Sequence, residues 1–343
     1  MLINRRTLFA LAVSVAFLAV VFWSIDFDEF LDAFAEANYL WLIPAVIVYF
    51  LAFTLRAWRW QSLLAHLGGV TLGRSYFVAT IGYAANNVLP LRLGEFVRAY
   101  LLRRNPGLDM TASLATIAVE RILDGLTLLL WLGIGLLFFA STWTLSPLLT
   151  LAAQVAAVVF IGAGVAVILA VLFPDAALRV SHTVTRPLPD RYAARMMGIA
   201  ESLLHGFAAL KDARKIPFWF VVSNSVWAGE ALVYILVAVA MDVDTPIVVL
   251  FVAVAASNLA TAVPSSSGGI GPFELLAKET LVRAGVGAGL ATAYAVVIHA
   301  TLWVPVTIAG AVLLILEGVP LREVLRPTSG MNGSDNGQAR ATE

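Results

Sequence analysis

The chain has 343 residues, of which 60% are hydrophobic and only 13% charged, with a mean hydropathy of +0.89. Lys+Arg and Asp+Glu both number 22, so the formal net charge is zero, and cysteine is absent. A soluble domain carries roughly 25% charged residues, so this composition excludes an ordinary soluble enzyme, a disulfide scaffold and a phosphate-binding basic protein, and nucleic acid is not an expected partner.

A membrane-spanning helix needs about 20 apolar residues. Thr7 to Ile25 meets that behind Arg5 and Arg6, and it reads as a retained first span rather than a signal peptide, because no small-residue cleavage site follows. Next come Asp26, Asp28, Glu29, Asp32 and Glu36, with Phe27, Phe30, Leu31 and Phe34 at helical spacing, predicting a short amphipathic surface helix. Further spans are predicted over Leu40–Leu64, Ala112–Ala140, Leu145–Phe173, Ile216–Met241 and Leu290–Leu316. Between them, Tyr192, Met196, Ile199, Leu203, Phe207 and Leu210 predict an interfacial helix inside a cytoplasmic segment, 175–215. The tail, 326–343, is rich in Gly, Ser and Asn and is expected to be disordered.

Two apolar stretches do not read as full spans. Ser75–Leu89 runs into Pro90-Leu91-Arg92-Leu93-Gly94-Glu95, and Ile247–Val263 runs into Pro264, three serines, Gly268, Gly269, Gly271 and Pro272. Each is followed by a short helix, Glu95–Arg104 and Phe273–Arg283. Irregular backbone at membrane depth must be buried in protein or line a wet cavity, so both read as re-entrant helical hairpins. The positive-inside rule fits this topology, with both termini cytoplasmic and the chain multi-pass in a cell (inner or plasma) membrane; Lys278 and Arg283 alone fall on the wrong side. The fold class is therefore an all-α polytopic membrane protein. It has about six full spans and two re-entrant hairpins in one membrane domain, 1–325. Half one (38–140) and half two (216–317) form an inverted-topology repeat, a transporter pattern whose site lies where the broken helices meet.

Ionisable groups inside membrane segments are costly and are functional or paired. Arg92, Glu95 and Arg98 fall on one helical face. Glu95 can pair with either arginine and leave the other for an anion, or all three can pin the hairpin. Glu120, Arg121 and Asp124 lie inside the third span as a proton- or cation-handling group or as a buried knot. Ser265, Ser266, Gly268, Gly269 and Gly271, followed by Pro272 at a helix start, form an anion site for phosphate or carboxylate or a tight turn. Glu274 follows as a capping carboxylate. Arg56 and Arg59, beside Trp58 and Trp60, either snorkel to the interface or contact a headgroup. Asn86, Asn87, Asn224 and Glu230 are further buried polar candidates, and His299 reads as a satisfied core histidine or a proton relay. Pro90, Gly94, Pro264 and Pro272 are the expected hinges. No metal-ligand spacing, nucleotide loop or nucleophile elbow is present, so no cofactor or metal is expected.

Four runs carry a resemblance: "LRAWRWQSLL", "NNVLPLRLGEFVRAYLL", "VERILDG" and "PSSSGGIGPFE". Together and in this order they resemble the flippase-like membrane domain of lysyl-phosphatidylglycerol synthases and its stand-alone relatives. The synthases' soluble aminoacyl-transfer domain has no counterpart in these runs. The resemblance implies a lipid-handling membrane protein, a transporter rather than an enzyme, and Arg56, Arg59, Asn87, Arg92, Glu95, Arg98, Glu120, Arg121, Asp124 and Glu274 as its substrate-binding residues. The expected activity is flipping or scrambling of a phospholipid or polyprenyl-phosphate-linked lipid. Arg92 and Arg98 would receive the phosphate, and Glu95 and Glu274 would pair with those arginines or with a cationic headgroup. An intramembrane transferase acting on a lipid phosphate, with Glu95 or Asp124 as general base, is the alternative. A third reading is a non-catalytic partner of a lipid- or glycan-modifying enzyme.

Overall fold

A computed structural model describes residues 15, 17–22, 27–89, 93–103, 108–139, 147–261 and 267–318. Most of the predicted first span, all of the tail, Pro90, Arg92, Pro264, Ser265 and Ser266 lie outside these residues. Helix and short 3-10 turns are the only regular structure among them. Helix α1 is Phe27–Glu36, α2 Leu42–Leu64, α3 Leu72–Val88, α4 Gly94–Arg103, α5 Met110–Phe139 and α6 Pro147–Leu172. Then follow α7 Pro174–Thr185, α8 Asp190–Phe207, α9 Ile216–Ala240, α10 Ile247–Ala260, α11 Pro272–Arg283 and α12 Ala288–Leu316.

Five segments are long and apolar enough to cross a membrane: Tyr39–Leu64, Met110–Phe138, Thr150–Leu172, Ala213–Ala240 and Ala288–Leu316. Their outward faces carry large apolar side chains, among them Leu137, Val158 and Ile315, each at least 75% exposed. A water-soluble protein does not present such surface. The protein is an all-α polytopic membrane protein.

Local signals set the helix ends. Thr71 caps α3 through its hydroxyl, which accepts from the Arg74 amide. Asp109 caps α5, its Oδ1 accepting from the Ala112 amide at 2.8 Å. Pro174 and Pro272 stand at the first positions of α7 and α11, where a missing N–H costs nothing. The cap of α12 comes from elsewhere: Glu29 on α1 reaches across, and its Oε2 accepts from the Gly289 amide at 2.9 Å. The acidic character of α1 is thus put to use at the positive end of another helix. Lys278 and Arg283, the two cations at odds with the charge rule, are both engaged. Lys278 Nζ donates to the Val21 carbonyl at 2.5 Å, and Arg283 pairs with Glu279 at 2.6 Å.

The packing repeats. Helices α2 to α5 run long, short, short, long, and α9 to α12 do the same. Helices α2 and α9 pack on each other. Exchange the two sets in order, and every major contact maps onto another. Thus α3 on α12 becomes α10 on α5, α3 on α4 becomes α10 on α11, and α4 on α5 becomes α11 on α12. The likewise related pairs α2 with α3 and α9 with α10 are also present. Helix α6 lies outside this frame against α5 and α10, and α7 and α8 pack on each other with α8 also on α5. Tyr192, Met196 and Ile199 are exposed on α8, as an interfacial helix requires.

Candidate functional site

Two arginines three residues apart on α2 face inward. Arg59 is fully buried and Arg56 nearly so. This overturns the expectation that they snorkel. Their face of α2 is covered by α9, α3 and α5, whereas Trp58, on the other face, is 42% exposed. Two guanidiniums in that position require carboxylates, and α5 supplies them at four-residue spacing.

Arg59 pairs with Asp124 at 2.7 Å and with Glu120 at 3.4 Å. Arg98, from α4, pairs with Glu120 at 2.7 Å and with Glu95 at 3.4 Å, and its guanidinium lies 3.9 Å from the centre of the Trp60 ring. Arg121 reaches Glu120 at 3.2 Å and Asp124 at 3.4 Å. Arg56 joins from the other side, 3.2 Å from Glu230 on α9 and 4.0 Å from Asp124. Four guanidiniums (Arg56, Arg59, Arg98, Arg121) therefore meet four carboxylates (Glu95, Glu120, Asp124, Glu230), and the cluster is neutral as a whole.

Neutral groups complete it. The Tyr83 hydroxyl accepts from both Arg56 and Arg121, the latter at 2.5 Å. Trp227 Nε1 donates to Asp124 Oδ1 at 3.2 Å, and the Ser223 hydroxyl accepts from Arg59. Asn258 donates to Glu230 Oε1 at 3.0 Å. Charge pairing does part of the work without hydrogen bonds: Asp124 Oδ2 lies 3.4 Å from Arg121 but accepts no hydrogen bond, and the Nε atoms of Arg59, Arg98 and Arg121 donate none.

Beside the cluster is a cavity of about 180 Å³. Both halves line it. From half one come Arg56, Tyr83, Asn87, Glu95, Arg121 and Asp124, and from half two come Glu230, Asn258, Gly268, Phe273, His299 and Trp303. Asn86 ties the end of α3 to the start of α4: its Oδ1 accepts from the Gly94 amide at 2.8 Å and its Nδ2 donates to Glu95. Gly94 lets α4 cross α3 closely, since a Cβ there would run into the Gly82 carbonyl and the Asn86 side chain. On the opposite wall, Gly268 takes φ +76, a conformation that suits glycine. Asn87 donates to the Trp303 carbonyl at 3.2 Å and the Thr307 hydroxyl at 2.7 Å, tying α3 to α12 beside Pro305.

Glu274 does not pair with an arginine. Its Oε2 accepts from the Gly271 amide at 2.7 Å, capping α11, and its Oε1 lies 2.6 Å from His299 Nδ1. It is seated on the α11–α12 face, and α12 presents a histidine there. Gly269 and Gly271 also have positive φ, and Pro272 begins α11 rather than bending it. Asn224 accepts from Trp131 Nε1 and donates to the Phe220 carbonyl, both within the bundle. Tyr83, Ser223, Trp227 and Asn258 join the site without having been candidates from sequence. Asn258 had a signal, a lone amide within an otherwise apolar helix; Tyr83 and Trp227 had none.

Outside the spans, burial pushes the Asp109 carboxyl up. The Ser202 hydroxyl and the amides of Ala112, Thr111 and Met110 outweigh this and hold it below the ordinary carboxylate value.

The family described as lysylphosphatidylglycerol synthase TM region matches residues 7–310. The chain belongs to this family. Its relatives include a protein called Glycosyltransferase AglD from Haloferax volcanii, 30% identical over 304 residues that cover 79% of this chain and 48% of that protein. The chain thus spans about half the length of AglD. Two proteins called UPF0104 membrane protein, both from Methanothermobacter thermautotrophicus, are similar over most of their length. One is 25% identical across 84% of this chain and 88% of its own, the other 24% identical across 92% and 94%. No solved structure matches the chain.

Proposed function

We propose that this member of the lysylphosphatidylglycerol synthase TM region family moves a lipid between leaflets, with its headgroup in the cavity and its chains left in the bilayer. The observation that carries this reading is a cavity into which both halves bring charged side chains, inside a bundle whose outer faces are apolar. At about 180 Å³ it is smaller than the roughly 300–1,000 Å³ of pockets that enclose whole drug-sized ligands. It suits a headgroup alone. Arg121 and Glu95, both partly exposed and both lining the cavity, favour a headgroup that brings both an anionic phosphate and a hydrogen-bond donor, such as a phosphatidylglycerol or a sugar-bearing polyprenyl phosphate. In this reading the short pairs α3–α4 and α10–α11 are re-entrant from opposite sides, the repeat is inverted, and both termini are cytoplasmic.

The test uses the full chain in vesicles of phosphatidylethanolamine and phosphatidylglycerol. Fluorescent phosphatidylglycerol and a fluorescent polyprenyl phosphate are followed separately as they become reachable by a membrane-impermeant quencher. Movement of either above protein-free vesicles is expected, slowed about tenfold by Arg121→Gln, which loses about 1.4 kcal/mol of headgroup interaction. Rates equal to protein-free vesicles, or an unaffected variant, would sink the reading.

The name of AglD favours a second reading, a transferase acting on a lipid phosphate with Glu95 as the base. Mass spectrometry of the lipid extract after incubation with sugar-nucleotide donors decides between them. A covalently altered lipid lost in Glu95→Gln supports the transferase.

A further inference from the structure

His299 sits in α12 with an acceptor at each ring nitrogen. Nδ1 is 2.6 Å from Glu274 Oε1, and Nε2 is 3.1 Å from the Gly268 carbonyl oxygen. A carbonyl only accepts, so Nε2 carries a hydrogen. A second proton lies between Nδ1 and the carboxyl, on whichever of the two holds it. The Phe273 ring stacks on the imidazole with centroids 4.2 Å apart and fixes its plane. The arrangement therefore needs one proton more than a neutral histidine facing a carboxylate.

Removing that proton leaves no satisfactory tautomer. A hydrogen kept on Nε2 sets the Nδ1 lone pair against the Glu274 carboxylate. A hydrogen moved to Nδ1 sets the Nε2 lone pair against the Gly268 carbonyl. One of the two contacts must open, because a buried acceptor facing a lone pair is not tolerated. What opens matters. The Ser267–Gly269 turn packs on α3, and Gly268 lies next to Trp303 Nε1 and the Asn87 carbonyl. This turn is one of the places where half two touches half one beside the cavity.

The other charges nearby are committed elsewhere. Arg56, Glu95, Arg121, Asp124 and Glu230 share the cavity but are paired within their own cluster. On α11, Lys278 is turned to the Val21 carbonyl, and on α1, Glu29 is tied to Gly289.

We propose that the His299–Glu274 pair is a one-proton coupling site, whose loading and unloading seats and releases the Gly268 turn and thereby couples lipid movement to protons. This rests on the lipid-transport reading above. The chemistry is a proton transfer between the pair and water in the cavity, with no other bond made or broken.

The experiment has two arms, both on the full chain. In the first, protein with ¹⁵N-labelled histidine is placed in bilayer discs of phosphatidylethanolamine and phosphatidylglycerol. Only four histidines are present, and His299→Gln assigns the signal. The ring nitrogens of His299 should change together in one step as the sample pH is raised. Glu274→Gln should abolish that step, because its amide donates to Nδ1 and its carbonyl still accepts from Gly271, holding the loaded geometry. A flat parent spectrum, or an unchanged step in Glu274→Gln, overturns the proposal. In the second arm, fluorescent phosphatidylglycerol equilibrates across vesicles holding a pH difference of about one unit at zero membrane potential. One proton per lipid shifts the leaflet ratio by up to about tenfold, and Glu274→Gln should remove the shift. Lipid movement whose endpoint ignores the gradient overturns the coupling. A parent that moves no lipid under any condition overturns the transport reading instead, and the histidine spectrum then decides the proton site by itself.

Discussion

Replacing Arg59 by methionine tests whether the buried charges form one energetic unit. The side chain has no exposure, and its guanidinium lies 2.7 Å from Asp124 and 3.4 Å from Glu120. At 2.7 Å and an effective dielectric of about 20, the Asp124 attraction alone is about 6 kcal/mol. Part of this is offset because methionine has no charge to desolvate. The rest of the cost is softened because Asp124 keeps Arg121 at 3.4 Å and Glu120 keeps Arg98 at 2.7 Å. The cluster nevertheless passes from four charges of each sign to an excess carboxylate, and breaking a buried pair in this way costs about 3–5 kcal/mol. Thermal unfolding in detergent, followed by tryptophan emission, should show a midpoint lowered by roughly 5–10 °C. Adding Asp124→Leu restores neutrality, and the double variant should be about 2 kcal/mol more stable than the sum of the single effects. A single variant that loses less than about 1 kcal/mol, or effects that add within about 0.5 kcal/mol, would refute the idea of a coupled cluster.

Gly94→Ala should lower stability by about 1–3 kcal/mol, because its methyl group meets the Gly82 carbonyl and Asn86 at the α3–α4 crossing; a chemical-denaturation midpoint equal to the parent's would contradict that packing. Asp109→Ala should cost about 1 kcal/mol through loss of the α5 cap, with Asp109→Asn closer to the parent. The Asp109 carboxyl is held below its ordinary value in the fold, so its contribution is present at neutral pH and is lost as pH falls below the ordinary carboxylate range. Over that acid range the stability of Asp109→Asn should fall less than the parent's; parallel curves would remove Asp109 from the acid response.

The spans were legible because a bilayer sets a minimum apolar length, and α2, α5, α6, α9 and α12 all fall where the hydropathy placed them. The short helices were legible because proline and glycine punctuate them. Within one helix, spacing also worked: Arg121 does reach Asp124 three residues on. Partnerships between helices were not legible. Arg56 and Glu230 are 174 residues apart, and no periodicity links them. The same holds for Glu29 and Gly289, and for Tyr83 between two arginines. The reading of Arg56 and Arg59 as interfacial failed for a related reason. A basic-aromatic run at a helix end looks alike whether its arginines face lipid headgroups or a neighbouring carboxylate helix, and only the packing of α5 and α9 against α2 decides it.

The contacts of α2 to α5 and α9 to α12 map onto one another, but their chemistry does not. Half one holds three carboxylates and four arginines of the cluster, and half two holds Glu230 and the His299–Glu274 pair. The exchange that carries one set of helices onto the other therefore does not carry the charges with it. Every arginine of the cluster comes from half one, so the cavity has one wall rich in cations and a facing wall whose polarity rests on Glu230, Asn258 and His299.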